Sequence, residues 1–311
     1  MRLLALLLIL ISTGAAAQDS ARLEKVENAW RDWLGSHRVG ASALALASGG
    51  EVTLEALRGT DMNTPAPLAS LSKAITGSCV RALVAEGAFS FGDPLADHLP
   101  GAVPGLTIAE LLTHTGGVWP DTTQEKMWDW VNDAEDRHSD VTRVALPRAL
   151  EPMGYRYNNE NYAILGALVE AVTGESYQEA CAERVLAPLG LESPRRSPRY
   201  GPFLTWGGWE MSAAEYALFA DATFAGSDPN LAPNAPAGGG AKYGLGALYF
   251  EAEGLRITWH TGLLCFGSID GAGAYFVQVD PGFTVAVTFE GCPGEGALAD
   301  LDQALLTAML R

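Results

Sequence analysis

Gly40-Ala41-Ser42-Ala43-Leu44-Ala45-Leu46-Ala47 and Glu51-Val52-Thr53-Leu54-Glu55-Ala56-Leu57 flank Ser48-Gly49-Gly50. Two strand-like runs around a Gly-Gly turn read as a β-hairpin. Upstream, Ala21 to Leu34 carries Val26, Trp30, Trp33 and Leu34 at helical spacing. The last third returns to strands, at Arg256–Thr261, Gly273–Asp280 and Phe283–Glu290. Pro281-Gly282 makes the turn between the last two, and Leu298–Leu310 reads as a closing helix. Between these ends the patterns are mostly helical. They cover about Ser70–Glu86, stopped by Gly87, then Ile108–Leu112, Tyr157–Thr173, Ser176–Leu186 and Ser212–Phe224. Gly226 to Gly240 reads as a surface loop. The expected fold is α/β of the α+β type. It has a five-stranded antiparallel sheet flanked by the terminal helices, with an all-helical region inserted. By residue number, 18–66 and 243–311 supply the sheet and 67–242 the helical region.

The chain has 311 residues, 48% of them hydrophobic and 18% charged, which is a globular composition. Arg2, the apolar run Leu3–Ile11 and Ala15-Ala16-Ala17 read as a secretory signal, residues 1–17. The run falls short of the roughly 20 apolar residues a spanning helix needs. The mature chain is expected to be periplasmic or secreted, without a stable membrane span. A net charge of −17 repels phosphate backbones and argues against nucleic acid as a partner. The four cysteines, Cys79, Cys181, Cys265 and Cys292, include no C-x-x-C pair, so zinc and redox motifs are unsupported. Export permits disulfides. Cys265 with Cys292 is the expected pair, because both fall at ends of neighbouring C-terminal strands. Free thiols are the alternative.

Three short motifs carry chemistry. Ser70-Leu71-Ser72-Lys73 opens a helix, and positions three apart share a helix face. A serine is a weak nucleophile until a base takes its proton, and a lysine can do so when its pKa is lowered. Free N–H groups at the helix start can hold an oxyanion. Tyr157-Asn158-Asn159 precedes an apolar helix, where a phenol beside a lysine can relay a proton. Asn159 can also cap that helix. His260-Thr261-Gly262 ends a strand. Thr261 offers a hydroxyl, Gly262 permits close backbone approach, and Leu263 offers its N–H as a second oxyanion donor. G-x-S-x-G and H-E-x-x-H are absent from the sequence.

In this order the three motifs resemble the penicillin-recognising serine hydrolases, on the Tyr-x-Asn branch. That branch holds class C β-lactamases, D-alanyl-D-alanine carboxypeptidases and family VIII esterases. Leu111-Leu112-Thr113-His114-Thr115-Gly116-Gly117, Gly207-Gly208-Trp209-Glu210-Met211-Ser212 and Tyr243-Gly244-Leu245-Gly246 extend the resemblance over nearly the whole mature chain. It implies a β-lactamase/transpeptidase-like fold and an acyl-enzyme on Ser70. Lys73 and Tyr157 handle the proton, and Asn159 orients Lys73 and a substrate carbonyl. His260 and Thr261 meet the substrate's carboxylate or ester tail. It implies no metal or cofactor, and a small-molecule or peptide acyl substrate.

The triplet here begins with His260, not lysine, and Leu263-Leu264-Cys265-Phe266 stands where the family has a small residue. These departures are expected to crowd the oxyanion strand, and favour a carboxypeptidase or esterase over a β-lactamase. His114 is expected to be structural. Trp119, Trp128 and Trp130 with Asp121, Glu125, Asp129, Asp133, Glu135 and Asp136 suggest an aromatic, acidic cleft rim. The rival reading is a non-catalytic binding protein that keeps the fold.

Overall fold

The structure is a computed structural model that describes residues 20–151, 154–228, 232–267 and 270–310. The expected signal segment lies outside them. Helix α1 covers 20–36. Strands β1 (Ser42–Ser48) and β2 (Glu51–Arg58) form the hairpin, turning through Gly49 and Gly50 at positive φ. A short strand β3 (Ala66–Pro67) and a 3-10 turn at Ala69–Leu71 lead into helix α2 (Ser72–Ala85). Helices α3 (Ile108–Leu112), α4 (Thr123–Trp130), α5 (His138–Ala145), α6 (Asn159–Thr173) and α7 (Tyr177–Cys181) follow. Then come β4 (Arg195–Arg196), β5 (Trp209–Met211) and helix α8 (Ala213–Phe224). Strands β6 (Ala235–Gly238), β7 (Ala241–Gly244), β8 (Ala247–Ala252), β9 (Leu255–Cys265), β10 (Gly271–Asp280) and β11 (Thr284–Glu290) complete the sheet. Helix α9 (Ala297–Leu310) closes the chain.

The main sheet is antiparallel and has eight strands, in the order β2-β1-β11-β10-β9-β8-β7-β6, not the five expected from sequence. The extra strands come from Ala235–Ala252, where glycines and Pro236 mask them. Those glycines make the turns: Gly238, Gly239, Gly240 and Gly246 all have positive φ. The stretch expected as a loop therefore ends inside the sheet. Helices α4 and α5 are also additions, because their short patterns are rich in charge.

The sheet is covered on both faces, and β1 shows how. Its leucines, Leu44 and Leu46, pack with Val26 and Trp30 of α1 and Leu301 and Leu305 of α9. Its alanines, Ala43, Ala45 and Ala47, face the helical side, where α8 lies across the strand. A period of two sends alternate side chains to opposite faces. Large residues fill the gap to the terminal helices, while methyl groups let α8 come close. Burying each such leucine contributes roughly 1.5–3 kcal/mol.

Two disulfides cross-link the chain. Cys265–Cys292 is the expected pair and ties the end of β9 to the segment after β11. Cys79–Cys181 joins α2 to α7 across 102 residues of sequence. No cysteine is free among the described residues.

Glycines set how the sheet meets α2. A Cβ on Gly262 of β9 would lie 2.6 Å from Leu68 O and 2.8 Å from Ser70 N. A Cβ on Gly246 would lie 2.3 Å from the carbonyl carbon of Lys73, and one on Gly77 would lie 2.7 Å from that of Leu245. Real Cβ contacts do not come so close, so these positions accept only glycine. The start of α2 is thereby wedged between β9 and the β7–β8 turn.

Candidate active site

Ser70 sits in the 3-10 turn that opens α2, just after Ala69, which adopts a left-handed φ of 48°. That conformation is costly for a residue with a Cβ, and such strain is held by surrounding contacts. Here the Leu68 N–H donates to Trp209 O at 2.9 Å, and the Trp209 N–H donates to Ser72 Oγ at 3.2 Å. The Ser70 N–H finds no acceptor among the described residues.

Lys73 is fully buried one helical turn on. Its Nζ donates to Ser70 Oγ at 3.2 Å and to Trp206 O at 2.8 Å. It forms no ion pair with a described carboxylate; the rings of Tyr157 and Tyr162 stand 4.8 and 5.8 Å away instead. Burial pushes its pKa down to about 7, against an upward pull from Asp121. The amine is thus largely neutral just above neutral pH and can accept a proton.

Tyr157 lies just before α6, with a buried phenol that has no well-aligned hydrogen-bond partner among the described residues. Burial drives its pKa well above the ordinary phenol value, and the neighbouring Ser70 hydroxyl only partly opposes this. The group is a neutral O–H. Asn158, not Asn159, caps α6, its side chain accepting from the Glu160 N–H at 2.7 Å. Asn159 donates its side-chain amide to Thr123 Oγ1 at 3.0 Å and its backbone N–H to Asp121 Oδ2 at 3.1 Å. Its expected contact with Lys73 is not made, because the lysine's hydrogen bonds go to Ser70 and Trp206.

His114 is buried and held from its Nδ1 side. Its Nδ1 accepts from the Asn158 N–H at 3.3 Å and from Asn161 Nδ2 at 2.8 Å, which puts the ring proton on Nε2. The ring packs between Tyr157, Tyr162 and Tyr243 at 4.6, 5.1 and 4.7 Å. Burial, then the Lys73 and His260 charges, hold its pKa well below the usual imidazole range.

The strand motif divides by face. Register pairs Gly262 with Ala274 and His260 with Phe276, so both point to the helical side. His260 is buried, near Tyr243 and Tyr157. Burial, reinforced by Lys73, pushes its pKa down to about 3. It is therefore neutral at working pH and carries no charge to a substrate carboxylate, as a lysine there would. Thr261 and Leu263 alternate to the other face, and Leu263 is 39% exposed. The bulk of Leu263 thus does not fill the space beside Gly262, a correction to the expected crowding. Leu264 and Phe266 are the residues that pack on the helical side.

Leu263 keeps its backbone role available. Phe266 N donates to Asp270 O, and alternation in an antiparallel ladder then gives residues 264, 262 and 260 the bonds to β10. The Leu263 N–H points to the opposite edge. There the β8 pairing has already stopped, at Leu248–Trp259. Two N–H groups without ladder partners, from Ser70 and Leu263, meet where Gly262 touches the turn.

Trp128 is 57% exposed and stands edge-on to Phe266 at 5.3 Å, while Phe266 stacks on Tyr200 and Phe203. Trp119 lies under the Arg156 guanidinium and Trp130 beside Lys126. Much of the expected acidic rim is spent locally. Asp133 and Glu135 pair with Arg137, and Asp136 pairs with His138. Asp121 instead turns inward, accepting from Thr123 and Asn159. Sequence reading missed the Trp206 carbonyl as a lysine partner; any residue supplies a carbonyl, so no side-chain signal marks it.

These features, a serine and a buried lysine at a helix start against an antiparallel strand, meet a family match. The family model described as Beta-lactamase matches residues 23–308, and the chain belongs to the β-lactamase family. Protein flp of Staphylococcus aureus (strain MW2) is 32% identical over 135 residues, 40% of this chain and 26% of that protein. The aligned stretch thus spans about a quarter of that relative's length. A D-stereospecific amidohydrolase from Streptomyces sp. superposes with a TM-score of 0.73 at 19% identity, covering 93% of this chain and 98% of that one. A class C β-lactamase from Rhodobacter sphaeroides gives 0.72 at 18% identity, covering 92% and 99%. At these identities the structural likeness shows a common fold.

Proposed function

We propose that the protein is a serine hydrolase that works through an acyl-enzyme on Ser70. The observation that carries this is Lys73 Nζ at 3.2 Å from Ser70 Oγ, with burial setting its pKa at about 7. Neutral Lys73 takes the Ser70 proton as Oγ bonds to the substrate's carbonyl carbon. The Ser70 and Leu263 N–H groups hold the resulting oxyanion, each donor worth about 3 kcal/mol. Collapse breaks the bond to the leaving group, which takes a proton relayed through Tyr157. Water then attacks the ester carbon, and Ser70 recovers its hydroxyl proton. Asn159 borders the substrate's path, and His260 supports Tyr157 from behind as a neutral ring. The reading invokes no metal or cofactor.

The substrate is a small-molecule or peptide acyl donor: a D-alanyl peptide, an ester or a β-lactam. A neutral His260 gives no charge to the carboxylate that both penicillins and D-alanyl-D-alanine peptides carry, which favours an ester among these donors. Two disulfides support a place in an oxidising compartment, outside the cytoplasm. No helix among the described residues is long and apolar enough to cross a membrane.

The test is intact mass after brief exposure to a short-chain ester, a penicillin and a D-alanyl-D-alanine peptide. Wild type should gain the acyl mass from at least one donor, and Ser70→Ala from none. Equal labelling or turnover by Ser70→Ala would sink the mechanism. No reaction with any donor would favour the binding-protein reading.

A further inference from the structure

A second pocket lies further along the same side of α2, about two turns beyond Lys73. It encloses about 390 Å³ and is walled by Phe224, Leu245, Pro233 and Tyr249, with Arg81 and Arg256. Arg256 is fully engaged: its guanidinium donates to Asp280, Phe224 O and Ser227 O. Arg81 differs. It is partly buried, and its guanidinium makes no hydrogen bond or ion pair with any described residue. A guanidinium has five donors and cannot shed its proton to escape the cost of burial. Arg81 is therefore a charged donor open to the pocket. The Tyr249 hydroxyl on the same wall is buried without a partner too.

We infer that this pocket is a binding site for a small amphipathic carboxylate. The carboxylate would pair with Arg81, and an apolar chain would lie against Phe224, Leu245 and Pro233. One planar anion matches one guanidinium through two parallel hydrogen bonds. A dianionic phosphate would leave a charge unmatched, because Arg256 is already neutralised by Asp280 and Asp228 also lines the pocket. The volume falls within the range of ordinary small-ligand sites. The pocket also shares a wall with the catalytic helix, since Leu245 lines it while packing on Gly77.

The probe is octanoate, titrated by calorimetry into wild type, Ser70→Ala, Arg81→Met and Arg81→Lys, with octanol as the uncharged control. Wild type and Ser70→Ala should bind octanoate equally, which separates this site from the Ser70 cleft. Arg81→Met should bind it roughly ten- to a hundredfold more weakly. Arg81→Lys should lose less, and octanol affinity should not respond to either change. Melting curves of the free variants report that they fold. Absence of octanoate binding to wild type, equal affinity in Arg81→Met, or equal losses in the two Arg81 variants would each overturn the site.

Discussion

Lys73 and Arg81 stand about two turns apart on α2, and neither has a described carboxylate partner. Burial penalises the charged form of both and lowers both pKa values. The lysine can answer by losing its proton, and at about pH 7 it does so, becoming a base beside Ser70. The arginine starts too high to lose its proton at working pH. It stays charged and calls for an anion. The same condition, a cation taken from water without a counter-ion, yields reactivity at one end of the helix and recognition at the other. Which of the two results depends on whether the group can give its proton away.

The sharpest way to break this comparison is to make the two ends alike. In Lys73→Arg the charge stays but the proton cannot leave, so acylation should fall about 10²–10⁴-fold, the usual worth of a general base. Arg81→Lys should acylate at the wild-type rate. Time-resolved intact mass reads both, and normal acylation by Lys73→Arg would mean that Lys73 is not the base. Next in size is the cross-link between the two positions. Cys79 lies between Lys73 and Arg81 on α2 and is joined to Cys181, 102 residues on, whereas Cys265–Cys292 spans 27. Chain-entropy estimates give about 5 and about 3.5 kcal/mol for the two loops. Replacing the Cys79–Cys181 pair with alanines should therefore cost more stability in urea unfolding than replacing the other. The reverse order would mean that α2 is held chiefly by packing.

The two ends of α2 were unequally legible in the sequence. Ser70 and Lys73 announce themselves through spacing, and Tyr157 through its place before an apolar helix. The hairpin and the C-terminal strands follow from turn glycines and β-branched runs. Strands β6 to β8 did not, because glycine and proline carry the same local signal in a loop and in the turns of short strands. The Arg81 site was invisible for a different reason. An arginine on a helix reads as a solvated surface charge until tertiary packing brings Phe224, Leu245 and Tyr249 around it. His260 gave half of its information: its position was readable, but its neutrality depends on the tyrosines packed beside it. Asp121 looked like one more rim acid, because nothing local shows that it turns inward to Asn159 and Thr123.

Asp121 supplies the smallest and most diagnostic effect. A base works when deprotonated, so wild-type acylation should rise with pH, about tenfold per unit, and level off above about 7. Asp121 pulls the Lys73 pKa upward. In Asp121→Asn that pull disappears while the one amide oxygen keeps the Thr123 donors and the Asn159 N–H loses its acceptor, so the rise should move to lower pH. On its acid limb the variant should then outpace wild type by a few-fold. Octanoate affinity at Arg81 should stay flat between about pH 6 and 9, since neither the guanidinium nor the carboxylate titrates there. A pH–rate profile that does not move in Asp121→Asn would show that the Asp121 charge is screened from Lys73. A profile that moves, beside a flat octanoate profile, would confirm that only the lysine end of α2 exchanges its proton.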